Sequence, residues 1–135
     1  MLTYAITKFV AYAGWCFIGL NLIAPTRATI WTSMKYGAIR WLLGLGFGLM
    51  AAMMLGSVAR ESVTTLYFSV YVPLRVIEWT IMTVLIRGPN HSPRFFPSDV
   101  RSWLWVLGGV TISFLTDIAS PEGLAGRFCV GRCLC

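Results

Sequence analysis

Residues 63–86, VTTLYFSVYVPLRVIEWTIMTVLI, form an apolar stretch that carries two charged side chains near its middle, Arg75 and Glu78. About 20 apolar residues in a helix are enough to cross the hydrocarbon core of a bilayer. Inserting one central arginine or carboxylate costs about 2.5 to 3.5 kcal/mol, so such charges are expected to face inward and to pair. The stretch therefore predicts a membrane-spanning helix with an internal polar site.

The composition of the whole chain agrees with a membrane protein. Hydrophobic residues make up 57% of the sequence and charged residues 12%, whereas soluble domains carry about 25% charged residues. Four spans of about 20 residues each occupy most of a chain of this length. We therefore expect one all-α polytopic membrane domain over residues 1–135, a small helical bundle with four transmembrane helices.

The other three spans are predicted over residues 4–24, 41–59 and 102–119, and residues 120–135 form a C-terminal tail. The first span resembles a signal peptide in having a cation before an apolar run, but no small-x-small site follows it, which favours a retained helix. Arg60 and its neighbours make a turn so short that the second and third helices form an antiparallel hairpin. The fourth span is short, and a re-entrant or interfacial helix is the alternative there.

The polar site on the third span follows from helical spacing. Residues three and four apart lie on one face, and a tryptophan one turn beyond the arginine is placed to take the guanidinium on its ring. Pro73 has no N–H to donate to the carbonyl group of Ser69, which frees that carbonyl within the helix. The predicted intramembrane polar site consists of Tyr71, Arg75, Glu78 and Trp79. A polar pathway, proton relay or ligand anchor and a purely structural ion pair are both open interpretations.

The second span carries a stripe of small residues that recur every four positions: Gly44, Gly48, Ala52 and Gly56. Small residues on one helix face allow another backbone to approach closely. We expect this stripe to pack either against a neighbouring helix of the same chain or against a second copy of the chain.

No set of residues in the sequence suits catalysis. The single histidine and the scattered hydroxyls give no Ser-His-Asp, Cys-His or paired-carboxylate arrangement, so we expect a protein that is not an enzyme and holds no cofactor. Three cysteines end the chain, Cys129, Cys133 and Cys135. Their spacing lacks the usual C-x-x-C knuckle and a fourth ligand, so we expect a disulfide or free thiols there rather than a metal site, for which these three cysteines are the only candidates in the sequence.

The net charge of +6 agrees with positively charged loops at an anionic membrane surface. Nucleic-acid binding is excluded because it requires cations and aromatic residues on a soluble face. The loops after the first and third spans carry slightly more cations than the opposite side, which predicts that both termini lie outside an inner or plasma membrane.

These observations predict a non-catalytic integral membrane protein that contacts the lipid bilayer and other membrane subunits. An accessory or structural subunit of a larger complex is the leading hypothesis. A homo-oligomeric channel or transporter that uses Arg75 and Glu78 is the first alternative, and a membrane-embedded immunity or defence protein is the second.

Overall fold

The computed structural model describes residues 2–55, 67–88, 97 and 99–119. Within these residues the chain forms four α-helices and no strand: α1 Leu2–Ile23, α2 Ile30–Leu55, α3 Val72–Arg87 and α4 Val100–Ile118. A short 3-10 helix, Pro25–Arg27, follows α1, and a π-helical turn, Tyr67–Tyr71, precedes α3. The all-α helical bundle predicted from the sequence is confirmed for this part of the chain.

Local signals in the sequence fix several helix ends. The Thr29 hydroxyl accepts a hydrogen bond of 3.1 Å from the backbone N–H of Thr32, which caps the start of α2. Gly88, which follows α3, has a φ of 78°, a conformation that glycine adopts without steric strain. The π-helical turn lies just before Pro73, where the missing proline N–H interrupts regular α-helical hydrogen bonding.

Asp99 caps α4 by accepting a hydrogen bond of 2.9 Å from the backbone N–H of Ser102. Its carboxylate also pairs with Arg87 at the end of α3. Burial acts to raise the pKa of Asp99, but the hydrogen bonds from Ser102 and the charge of Arg87 outweigh it and lower that pKa. The end of α3 and the start of α4 are thereby held together.

Helix α2 begins at Ile30, well before the predicted span over residues 41–59. The predicted span begins directly after Arg40, which is where a charge at the end of a membrane-spanning helix is expected. The structure instead buries Arg40 completely and pairs it with Glu78, so this charge does not end the helix. The predicted turn around Arg60, most of the stretch between the predicted third and fourth spans and the tail over residues 120–135 lie outside the described residues.

The helices form an up-and-down bundle. α1 and α3 each pack against both α2 and α4, and α1 and α3 also touch across the centre. An ion pair between Lys8 and Asp117 joins the start of α1 to the end of α4. At the opposite end, the Tyr36 hydroxyl of α2 donates a hydrogen bond of 3.1 Å to the carbonyl oxygen of Leu85 in α3.

One tryptophan of α1 and one of α4 form a reciprocal pair of hydrogen bonds between the two helices. The indole N–H of Trp15 donates to the carbonyl oxygen of Trp105 over 3.0 Å, and that of Trp105 donates to the carbonyl oxygen of Trp15 over 3.1 Å. The ring of Trp105 lies against Gly19, and the ring of Trp15 lies against Gly108. Since a Cβ atom at either glycine would collide with the facing ring, glycine is needed at both positions.

An apolar core fills the half of the bundle toward the end of α3. Trp79 lies at its edge, with its ring edge-to-face against Tyr12 at a centroid distance of 5.7 Å and against Trp105 at 5.1 Å. The core consists of Tyr12, Cys16, Leu20, Trp79, Met82, Ile86, Trp105 and Val106. The buried charged side chains lie outside this core, at Trp79 and beyond it toward the other end of the bundle.

The outer surface is strongly apolar on all four helices. Side chains such as Val10, Trp31, Met53, Ile77 and Leu104 are exposed, while the charged groups of Arg40, Arg75, Glu78 and Asp117 are buried. Two of the described helical stretches, Thr3–Ile23 and Ser69–Arg87, are long and apolar enough to cross a membrane. The core helix of a soluble protein or a signal sequence meets the same criterion of length and composition.

A close approach of α1 and α2 at Gly37 gives a first testable prediction. A Cβ atom at Gly37 would lie 2.8 Å from the Cα atom of Ala13 and 2.9 Å from its backbone nitrogen, so Gly37→Ala forces two backbones apart. We expect a loss of about 1 to 3 kcal/mol in the free energy of unfolding. Gly14→Ala on α1 is the matched control, because nothing lies within 4 Å of its added Cβ atom. Unfolding of both variants in detergent measures the difference, and equal stabilities would contradict the close approach.

Candidate functional site: a buried charged cluster

Glu78 lies at the centre of a charged cluster in the middle of the bundle. Its Oε2 atom accepts from Arg75 Nη1 on the same helix over 2.6 Å and from Arg40 Nη2 on α2 over 2.6 Å. The Glu78 side chain is 2% exposed, so its charge is shielded from the surroundings. One carboxylate therefore forms ion pairs with two guanidinium groups.

Arg40 reaches into the cluster between two aromatic rings. Its guanidinium carbon lies 4.7 Å from the ring centroid of Tyr12 and 4.8 Å from that of Trp79. Its Nη2 atom also lies 3.4 Å from the hydroxyl of Ser113 on α4, which accepts the Trp79 indole N–H over 3.1 Å. A side chain from α2 thus connects α1, α3 and α4.

Arg75 uses a different aromatic partner from the one that the sequence suggested. Its guanidinium carbon lies 4.4 Å from the ring centroid of Tyr71, one turn earlier on the chain. The ring of Trp79 instead makes a cation–π contact with Arg40. The reason is packing, since the indole of Trp79 points to the bundle centre, where Arg40 enters from α2.

A second group of charges lies nearer the end formed by the start of α1 and the end of α4. Asp117 accepts from Lys8 Nζ over 2.7 Å and also from the hydroxyls of Tyr4 and Tyr71. The Lys8 side chain is 11% exposed and that of Asp117 is 2% exposed, so this pair is also largely buried. Lys8 Nζ further donates to the Tyr4 hydroxyl over 2.7 Å.

Tyr71 connects the two groups of charges. Its hydroxyl contacts Asp117, and its ring lies against Arg75. A continuous line of polar side chains therefore leads from one end of the bundle to its middle. We call these residues the polar line; in the order in which they contact one another they are Lys8, Asp117, Tyr71, Arg75, Glu78 and Arg40.

The charges in this polar line do not balance. Three cations, Lys8, Arg40 and Arg75, face two carboxylates, Glu78 and Asp117. In the part of the chain that the structure describes, four buried polar atoms have no hydrogen-bond partner: Arg40 Nε, Arg40 Nη1, Arg75 Nε and the Tyr12 hydroxyl oxygen. An unpaired buried charge is unfavourable, so the site has unused capacity for an acceptor.

The predicted stripe of small residues meets this site at one position. The added Cβ atom of an alanine at Gly44 would lie 3.0 Å from Arg75 Nη1 and 3.1 Å from Arg40 Nη1, so Gly44 makes room for guanidinium groups rather than for a backbone. Gly48 lies on α2 and is half-buried. The side chain of Ala52 and the whole of Gly56 lie outside the described residues.

Sequence reasoning missed Arg40, Lys8 and Asp117 as site residues. Arg40 precedes Gly44 by four positions, so the predicted stripe already placed it on the inward face. Lys8 lies near the start of the first span and Asp117 near the end of the fourth. In an up-and-down bundle of four helices these two positions fall at the same end, which is the signal that could have paired them.

Within the described residues, no group of three or more His, Cys, Asp or Glu side chains is placed to hold a metal ion. The cysteine candidates Cys129, Cys133 and Cys135 lie outside those residues, and Cys16 is buried in the core. The arrangement offers ion pairing, hydrogen bonding and electrostatic binding.

Comparison with protein-family models, curated proteins and solved structures gives no match.

Proposed function

We propose that this chain is an integral membrane protein whose four helices all cross the bilayer and whose polar line serves a small channel or transporter. The observation that carries the proposal is the buried charged cluster of Arg40, Arg75 and Glu78 inside a bundle with an apolar exterior. Ionisable groups within a membrane bundle are a functional site by default.

The distribution of side chains supports the membrane part of this proposal. A soluble bundle of this size places its charges outside and its large apolar residues inside. Here Trp31 is 81% exposed and Met53 72% exposed, whereas Arg40 and Glu78 are buried. Lipid chains are the solvent that suits such a surface.

The position of the polar line supports the transport part. It runs from Lys8 at one end to Arg40 at mid-bundle, and it lies inside a single chain. Because the charges contact one another within one bundle, the proposed path does not depend on a second copy of the chain. The apolar core beyond Trp79 closes the other half, and a conducting cycle requires that half to open.

Reconstitution into liposomes tests the proposal. Protein-containing liposomes loaded with a salt gradient are expected to discharge it faster than empty liposomes, as measured with a voltage-sensitive dye. Arg75→Met keeps the pair of Arg40 with Glu78 and is expected to reduce the rate. Gly46→Ala is the control, since nothing lies within 4 Å of its added Cβ atom. Equal rates with and without protein would overturn the transport proposal.

An accessory or structural subunit is the second candidate function. One observation favours it: a shallow, open apolar groove on α2, which a helix of another subunit would cover. The groove is lined by Ile39, Leu42, Leu43, Gly46, Phe47 and Met50. Native mass spectrometry of the protein extracted with its neighbours distinguishes the two candidate functions. A distinct bound chain supports the subunit role.

We further propose an inner or plasma membrane with both termini outside. Arg40 and Lys8 are paired inside the bundle and no longer count as loop charges. The remaining cations still favour the side of Arg27, Lys35 and Arg94 over the opposite side.

A further inference from the structure

We propose that one end of the bundle binds the headgroups of anionic phospholipids. The surface that does so, the basic end, combines exposed cations with exposed apolar side chains. It consists of Arg27, Lys35, Arg101, Trp31, Val100 and Trp103. The inference rests on the membrane part of the proposed function and names the class of lipid that the bundle selects.

The fold brings residues that are remote in the sequence to this end. Arg27 follows α1, and its guanidinium group lies against Gly88, the residue after α3. Lys35 lies on α2 next to Tyr36, whose hydroxyl group donates to a carbonyl oxygen near the end of α3. Arg101 lies in the first turn of α4. The three cations therefore belong to one end of the bundle, although they come from three different segments.

The positive charge of the basic end is not neutralised within the described chain. Each carboxylate there is already paired, Glu78 and Asp117 within the polar line and Asp99 with Arg87. Arg27, Lys35 and Arg101 form no ion pair among the described residues and are exposed. An anionic membrane surface attracts each such cation by about 1 kcal/mol, so the charge of this end matches that of anionic headgroups.

The apolar side chains place this end at the boundary between headgroups and acyl chains. Trp31 at the start of α2 and Val100 and Trp103 at the start of α4 are exposed beside the cations. Tryptophan is enriched at this boundary in membrane proteins. Lys35 lies further along its helix than Trp31, and the long side chain of a lysine extends to the headgroups from such a position.

The rest of the bundle favours lipid over an acidic protein as the partner. The outer surface of the helices stays apolar away from the basic end, so the lipid that covers it has its headgroups at the helix ends. At the opposite end, the described charges Lys8 and Asp117 pair with each other. An anionic leaflet is therefore expected to contact the basic end in preference to the other one.

Lipid titration of the purified protein tests the inference. The protein is held in a neutral detergent, and phosphatidylglycerol or phosphatidylcholine with the same acyl chains is added. Native mass spectrometry counts the bound lipids, and thermal unfolding measures their effect. Phosphatidylglycerol alone is expected to stay bound and to raise Tm, by about 5 °C at ten times Kd for a chain of this size. Inorganic phosphate is expected to give no shift, and an equal shift with phosphate would overturn the inference.

Single variants locate the binding surface. Arg27→Gln, Lys35→Gln and Arg101→Gln are each expected to lower the affinity for phosphatidylglycerol about fivefold. Because the three side chains are exposed, the variants are expected to unfold like wild type in phosphatidylcholine. Arg27→Lys keeps the charge and is expected to keep most of the affinity. Arg127→Gln removes one cation of the tail over residues 120–135 and is the control for net charge. An equal loss in that control would overturn the basic end as the site.

The remaining outcomes separate this inference from the proposed function. Stable insertion into phosphatidylcholine nanodiscs without a preference for phosphatidylglycerol would overturn the inference and leave the membrane proposal standing. Recovery of a second protein chain at the basic end in place of lipid would overturn it too. Lipid preference without liposome flux supports the basic end and overturns transport. Release of the protein from vesicles by alkaline carbonate would overturn both proposals, because spanning helices place the basic end among the headgroups.

Discussion

Glu78→Gln is expected to lower the free energy of unfolding by about 3 to 5 kcal/mol, because it leaves two buried guanidinium groups without a carboxylate. The glutamine keeps the size of the side chain, so the change reports charge rather than a cavity. Arg40 is fully buried and held between Tyr12 and Trp79, so it has no route to solvent. Unfolding of the purified protein in mixed micelles measures the loss.

The arginine variants provide the controls. Arg75→Met leaves Arg40 paired with Glu78 and is expected to be much milder than Glu78→Gln. The double variant Arg75→Met with Glu78→Leu remains impaired, because Arg40 is then unpaired. Adding Arg40→Met is expected to restore most of the stability, since apolar residues of similar size replace the whole cluster. A double variant as stable as wild type would show that Arg40 does not depend on Glu78.

Much of the fold was predictable because the signals are local. The apolar stretch that becomes α1 ends at Pro25, and the stretch that becomes α4 begins next to the cap at Asp99. The early start of α2 was not predictable by the same reasoning. An arginine in the sequence marks a helix end only if its charge reaches solvent, and Arg40 is neutralised by a residue that is remote in the chain.

The site was predictable only within one helix. Arg75 and Glu78 are three positions apart, so helical geometry alone brings them together. The pairings of Arg40 with Glu78 and of Lys8 with Asp117 cross between helices. They depend on how the bundle is arranged, which a spacing rule does not contain. Which guanidinium group lies against the ring of Trp79 depends on the arrangement of the bundle for the same reason.

Asp117→Asn is expected to lower the free energy of unfolding by about 3 kcal/mol, because Lys8 then remains largely buried with no counter-charge. The effect is smaller than at Glu78, since Lys8 lies near the start of α1 and its long side chain, which is 11% exposed, can extend out of the bundle. Lys8→Met in the same background is the control. It removes the unpaired charge and is expected to recover part of the loss, as measured by unfolding in micelles.

Combining Asp117→Asn with a second substitution shows whether the polar line acts as one unit. Residues linked through a shared partner have interaction energies of about 0.5 to 3 kcal/mol, whereas independent sites add. We expect coupling between Asp117→Asn and Arg75→Met, because Tyr71 contacts both side chains. Tyr71→Phe keeps the ring against Arg75 but removes the hydroxyl that contacts Asp117, so it is expected to abolish that coupling. Additive losses in the presence of Tyr71 would mean that the two groups of charges are separate sites, and a path from Lys8 to Arg40 would then have no energetic basis.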